Sequence, residues 1–294
     1  MFAIVLASVV PPLVTALIGY FWARAGNRLD SKGLTPLLTD VAAPCLAFSA
    51  AVQMDTPLAE IGATAAASLA VLLITLAAMA ALVKLLRLDM RTYLPPLSFP
   101  NVGNLGLSVS MSAFGNAGLS FAMIFMAIIG AANNTVGRAI SVGDKNWGRA
   151  LLTPFFPALL LGIVLQAYHI RPPAWIMTTT AMIGALAIPM MLVMLGVSLA
   201  SIRLQSIRLA LGLSVVRIAL GAAIAFGVAA LFGFQGAQRG ALIIQSAMPA
   251  AVMNYLFAQL ADANPDEVAS LVVISTLLSI VTTPALVAAL LAFP

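Results

Sequence analysis

The chain has 294 residues, 62% hydrophobic and 8% charged, with a mean hydropathy of +1.09. A soluble domain carries about 25% charged residues, so this composition excludes a water-facing surface over most of the molecule and leaves no room for a large soluble domain. The net charge of +5 is no argument for a nucleic-acid partner, because in a lipid-embedded chain the sidedness of Lys and Arg matters more than their sum.

A spanning helix needs roughly 20 mostly apolar residues. Apolar runs between polar punctuation predict ten of them, at 2–23, 34–53, 58–84, 92–114, 117–139, 150–168, 174–200, 206–232, 237–260 and 266–292. The first run has its basic residues after it instead of before it, so it reads as a span and not as a cleavable signal. Basic residues then sort by side. Arg24, Arg28 and Lys32 follow span 1; Lys84, Arg87 and Arg91 follow span 3; Arg138, Lys145 and Arg149 follow span 5; Arg203 and Arg208 follow span 7. The opposite side holds Arg171 and Arg239 alone. The rich side is expected to be cytoplasmic, which puts both termini outside a plasma (bacterial inner) membrane.

The two halves echo each other. Pro12 in span 1 has a counterpart in Pro157 of span 6, and Pro44 in span 2 has one in Pro189 of span 7, each 145 positions on. Pro100 in span 4 and Pro249 in span 9 are 149 apart. Five spans per half is an odd number, so the halves, 1–140 and 141–294, are expected to lie in opposite orientation, as in the inverted repeats of secondary transporters.

Spans 4 and 9 carry the chemistry. Span 4 reads Pro95-Pro96-Leu97-Ser98-Phe99-Pro100-Asn101-Val102-Gly103-Asn104-Leu105-Gly106, and span 9 reads Gln245-Ser246-Ala247-Met248-Pro249-Ala250-Ala251-Val252-Met253-Asn254. Proline removes an amide donor and clashes with the preceding turn, so both spans are expected to be broken helices. Non-helical backbone at membrane depth is tolerated only where protein buries it or a cavity receives it. Paired broken helices at matching positions point to a transport site. The N-terminal half-helix ends favour an anion, with Asn101, Asn104 and Asn254 as neutral partners, while a cation held by carbonyls fits the same pattern. Asn133 and Asn134 in span 5 are further candidates for the site. Ser275, Ser279, Thr282 and Thr283 in span 10 are read as interhelical hydrogen-bonding groups. Asp40 in span 2 and Arg217 near mid-depth in span 8 are ionisable, and so are candidates for coupling or gating. Gln245 and Ser246 are possible ligands of a coupling ion. His169 is expected in a solvated external loop.

Catalysis finds little support. The chain has one His and one Cys, Cys45, which excludes a disulfide framework and a multi-cysteine metal site. No HExxH, GxSxG or paired intramembrane aspartate occurs. The chain is expected to be no enzyme and to use no cofactor or metal.

The proline-centred span 2 (Asp40 to Phe48), the Pro100-Asn101-x-Gly103-Asn104-x-Gly106 crossover, Pro189 followed by Leu195-Gly196-Val197-Ser198-Leu199, and the Pro249…Asn254 crossover resemble the auxin efflux carrier family, and in particular its bacterial malate and malonate permease-like members. The resemblance covers nearly the whole chain. It implies an all-α polytopic fold of ten transmembrane helices in two inverted five-helix repeats with crossover helices 4 and 9, like sodium/proton antiporters and bile-acid symporters. It also implies a homodimer, a scaffold of spans 1, 2, 6 and 7, and a mobile transport domain of spans 3–5 and 8–10 that moves like an elevator. The implied substrates are small organic anions such as malate, malonate or indole acetate, held by Pro100, Asn101, Asn104, Pro249 and Asn254, with a proton or sodium ion as possible coupling partner. The long loop of plant members between spans 5 and 6 is reduced here to roughly ten residues, so regulation through it does not carry over. The competing expectations are a sodium-coupled symporter with a non-carboxylate substrate and a cation antiporter. The antiporter needs a titratable carboxylate at the crossover, and neither stretch contains one.

Overall fold

A computed structural model of the chain describes residues 2–27, 31–53, 57–143, 154–201 and 206–292. Arg28, Lys145, Arg149 and Arg203, counted above among the cytoplasmic basic residues, lie outside the described residues.

The described residues form helices throughout, apart from one isolated antiparallel bridge between Pro100 and Ala250. In chain order they are α1 (Phe2–Arg24), α2 (Ser31–Leu37), α3 (Ala43–Val52), α4 (Leu58–Leu85), α5 (Met90–Ser98), α6 (Leu107–Ala132), α7 (Arg138–Val142), α8 (Phe155–Ala167), α9 (Ala174–Gly184), α10 (Ala187–Ser201), α11 (Ile207–Leu231), α12 (Gly236–Ser246), α13 (Val252–Ala261) and α14 (Pro265–Ala292). Short π-helical turns at Leu38–Ala42, Val102–Gly106 and Asn133–Gly137 join α2 to α3, lead into α6 and join α6 to α7.

Five stretches are long and apolar enough to cross a bilayer by length and composition: Leu58–Leu85, Val102–Val142, Ala174–Val197, Ile207–Leu231 and Pro265–Ala292. Leu13–Arg24, Leu38–Val52 and Phe155–Ala167 are shorter apolar helices. Apolar side chains such as Phe21, Trp175, Leu231 and Val281 are more than half exposed on the outside. Water would penalise that surface and lipid does not. The chain is a multi-pass membrane protein.

The stretch Val102–Val142 is not one rod. Gly115 has φ 63° and ψ −151°, a conformation that only glycine adopts without strain. Beyond it, Gly118 lies against the carbonyl of Ser110. A continuous helix would separate two positions eight residues apart by about 12 Å along its axis. The chain therefore turns back at Gly115, at the division expected between 92–114 and 117–139.

Two sets of helices pack most closely. α1 lies along α10, and α3 lies between α8 and α9. Close approach of α1 and α10 depends on a glycine from each: Gly19 abuts the backbone of Val193, and Gly196 abuts the Ala16 carbonyl, the small-residue contact by which membrane helices associate. In the other set α6 packs on α12, α4 on α5, α6 and α11, and α14 on α11 and α13. The largest buried cluster lies there, with Phe99, Val102 and Leu105 packed among Val71 of α4, Phe125 and Ile129 of α6, Ile244 of α12 and Met248 just beyond it. The break in span 4 thus sits inside packed protein, where unwound backbone is tolerated.

Candidate functional site at the crossing of two broken helices

α5 runs through Pro95 and Pro96 and ends at Ser98. Phe99 is extended (φ −106°, ψ 107°), as the residue before a proline prefers. Asn101 then caps the next turn: its side-chain oxygen accepts a hydrogen bond from the Asn104 amide at 3.2 Å. On the other chain segment α12 ends at Ser246, and Ala251, also extended, leads into α13 at Val252.

These two breaks face each other. The Asn101 amide donates to the Pro249 carbonyl at 2.7 Å, and the Ala251 amide donates to the Phe99 carbonyl at 3.2 Å. With the Pro100–Ala250 bridge they form a minimal antiparallel pair in which the two donors, Asn101 and Ala251, are 150 positions apart, as are the two acceptors, Phe99 and Pro249. The same interval separates Asn104 from Asn254. The sequence comparison matched Pro100 to Pro249 at 149, one position away from the pairing that the backbone makes. Mutual pairing satisfies polar groups that the helices have left free.

Side chains complete the crossing. Asn254, 1% exposed, donates through Nδ2 to the Phe99 carbonyl at 3.2 Å. Ser275 of α14 accepts from the Ala250 amide at 3.1 Å. Several buried polar atoms are left without a partner: Asn101 Nδ2, Asn254 Oδ1, Asn133 Oδ1, Ser98 Oγ and both polar atoms of Gln245. Unpaired buried groups are costly and native structures hold few of them, so such a concentration at one place is what a ligand site requires.

The other candidates divide. Asn133 is buried in its π-helical turn, and Gly137 beside it packs against both its Oδ1 and the Phe99 ring, which places it next to the crossing. Asn134 donates to the Gly130 carbonyl of its own helix at 2.9 Å and is only partly buried. Gln245 is fully buried against Gly106, and Ser246 donates to Leu242. Asp40 is exposed and accepts from the hydroxyl of Thr39 at 2.9 Å. Arg217, 1% exposed, lines a small cavity with Ser98, Pro100 and Ser246, and no ion pair joins it to Asp40. His169 is exposed. The sequence marks Arg217 as a candidate for coupling or gating and Ser275 as an interhelical hydrogen-bonding group, and the structure places both at the crossing. The signal that singles out Arg217 was present, since a charge deep in an apolar helix is rare. Nothing in the sequence separates Ser275 from Thr276, Ser279 and Thr282, whose hydroxyls bond carbonyls of their own helix.

The outer ends of the broken helices are tied down. Asp89 caps α5, accepting from the Thr92 amide at 2.8 Å and from the Thr92 hydroxyl. That hydroxyl, then the amides and charge of Thr92 and Arg91, hold the carboxyl below its ordinary value. Asn264 donates to the Thr92 hydroxyl at 3.0 Å, and Glu267 accepts from Tyr93 at 2.9 Å and from Ser206 at 2.6 Å. The start of α5, the α13–α14 turn and the start of α11 are held as one unit. Among the described residues no group of His, Cys, Asp and Glu has the makings of a metal site.

The family model described as membrane transport protein matches residues 4–141 and 135–287. Similar proteins include an uncharacterized transporter of Methanothermobacter thermautotrophicus, 26% identical over 190 residues, covering 63% of this chain and 63% of that protein. An uncharacterized transporter of Methanocaldococcus jannaschii is 26% identical over 191 residues, covering 61% of this chain and 62% of that protein. The match thus spans less than two thirds of the length of either relative.

Proposed function

The chain belongs to the membrane transport protein family of the auxin efflux carriers, and on that premise we propose that it moves a small organic anion, a mono- or dicarboxylate, across the plasma membrane by an elevator movement. The crossing of the two broken helices carries this reading. The helix starts at Val102 and Val252 lie beside it, and such ends carry about half a positive charge each. Asn101, Asn104 and Asn254 supply neutral hydrogen-bonding groups around them. The equivalence of crossing residues at an interval of 150, donor with donor and acceptor with acceptor, supports ten crossings arranged as two inverted five-span repeats, and the basic residues gathered in the loops of one side support external termini. The closest packing within each set, α1 on α10 and α3 on α8 and α9 in one and α6 on α12 and α11 on α14 in the other, with α1 touching α6 and α14 between the sets, supports a scaffold of spans 1, 2, 6 and 7 and a mobile domain of spans 3–5 and 8–10. In this reading the scaffold forms a homodimer, malate- and malonate-like acids head the candidate substrates, and catalysis plays no part.

One observation favours a second reading, sodium-coupled symport. Asn133 Oδ1, Asn254 Oδ1 and Gln245 Oε1 are buried neutral oxygens without donors, the ligand type that a hard cation takes. Reconstitution into liposomes, with labelled mono- and dicarboxylates and with or without sodium and proton gradients, tests both. Uptake of an organic anion supports the first reading; movement of a cation with no organic anion overturns it.

A further inference from the structure

Arg217 sits at the centre of α11 with 1% of its surface exposed. With Ser98, Pro100, Thr75 and Ser246 it lines a small, partly open cavity of about 10 Å³, room for one water at most. Ser98 is the last residue of α5 and Ser246 the last of α12. Nη1 lies 3.0 Å from the Cβ position of Gly221, which itself abuts the Ser246 carbonyl. The guanidinium therefore stands at the C-terminal ends of both broken helices. Each such end carries about half a negative charge. Nε and Nη2 have no hydrogen-bond partner, and among the described residues no Asp or Glu pairs with the side chain. An unpaired buried cation is expensive, and the two helix ends are the negative charge this one has.

Carriers with broken helices use those same C-terminal ends and unwound carbonyls to coordinate a coupling sodium ion or proton. Here a side chain already fills the place, and the cavity leaves no space for a hydrated ion beside it. We infer that Arg217 is a built-in counter-cation that occupies the coupling-ion position, so that the anion is carried without sodium. The inference rests on the crossing being the transport site. Arg217 acts on the substrate through the crossing: it balances the two negative ends, while the anion binds at the positive ends around Val102 and Val252.

Proteoliposome uptake of labelled malonate and indole acetate, compared in sodium and choline media, tests this. Wild-type uptake of whichever probe is carried is the same in both. In choline, Arg217→Ala lowers uptake by roughly tenfold or more, the loss expected on removing a buried functional charge. Guanidinium or sodium added to that variant enters the vacated space and restores much of it, an effect that a packing role does not produce. Arg217→Lys keeps the charge and most of the uptake, and this arm decides the matter if the alanine variant fails to fold. Uptake by the wild type that requires sodium overturns the inference and leaves the carrier reading intact. Undiminished uptake by Arg217→Ala in choline does the same, as does an equal loss in both variants that no cation restores. A wild type that moves neither probe in either medium overturns the organic-anion reading and this inference with it.

Discussion

Gly106 lies against the side chain of Gln245, so close that a Cβ added to the glycine would fall on the carboxamide. The contact joins the first turn after one break to the last turn before the other. The carboxamide that Gly106 meets is itself fully buried.

Gly106→Ala should therefore be costly. Overpacking in a filled core destabilises by about 1–3 kcal/mol, and here it also pushes the crossing apart. Thermal unfolding of the purified protein should show a lower midpoint for Gly106→Ala, partly recovered in the double variant Gly106→Ala/Gln245→Ala. Equal stability of wild type and Gly106→Ala would contradict the contact.

Ser275→Ala removes the acceptor of the Ala250 amide. A buried amide left without a partner costs about 1–3 kcal/mol. Thr276→Ala and Ser279→Ala, whose hydroxyls only bond their own helix, should cost less. Comparing the three unfolding midpoints checks the assignment, and a ranking with Ser275→Ala as the mildest would refute it.

Asp89 gives a pH signature. Its carboxyl is held below the ordinary 3.8 by the Thr92 hydroxyl and the amides of α5. A carboxyl with a depressed folded-state value adds stability that is present above its unfolded value and is lost as pH falls through the folded one. Asp89→Ala should cost about 1 kcal/mol at neutral pH, the usual value of a helix cap. The gap to wild type should close as the medium is acidified below the ordinary carboxyl range. A gap unchanged across a denaturant titration series from neutral to acid would show that ionisation of the Asp89 carboxyl adds nothing to the cap.

The sequence marked apolar segments, because burial in lipid imposes length and composition directly; of the ten expected spans, the described residues show five stretches long and apolar enough to cross a bilayer and three shorter apolar helices. The broken helices were legible for the same reason, since Pro100 and Pro249 cannot continue a helix. The finer register was not. Proline marks a missing amide, whereas the crossing is set by which carbonyl meets which amide, so Pro249 came to accept from Asn101 while Ala250 took the place opposite Pro100. Pro95 and Pro96 also looked like breaks, yet α5 accommodates both. Asn133 and Asn134 are equivalent as letters. Which one turns toward Phe99 and which bonds Gly130 depends on the rotation of α6 against its neighbours. The place of Arg217 at two helix ends is likewise a product of α11 packing on α4 and α12, which no local pattern encodes.

The central claim is that the organic anion binds where the two broken helices cross. Uptake of a labelled carboxylate into proteoliposomes, at equal protein content, tests it with three variants. Asn104→Ala and Asn254→Ala remove amides at the crossing and should lower uptake by roughly tenfold or more, the loss that follows removal of a hydrogen bond to a charged group. Asn134→Ala, whose amide is bonded to Gly130, should leave uptake within about twofold of wild type. Unchanged uptake in both Asn104→Ala and Asn254→Ala would place the substrate elsewhere.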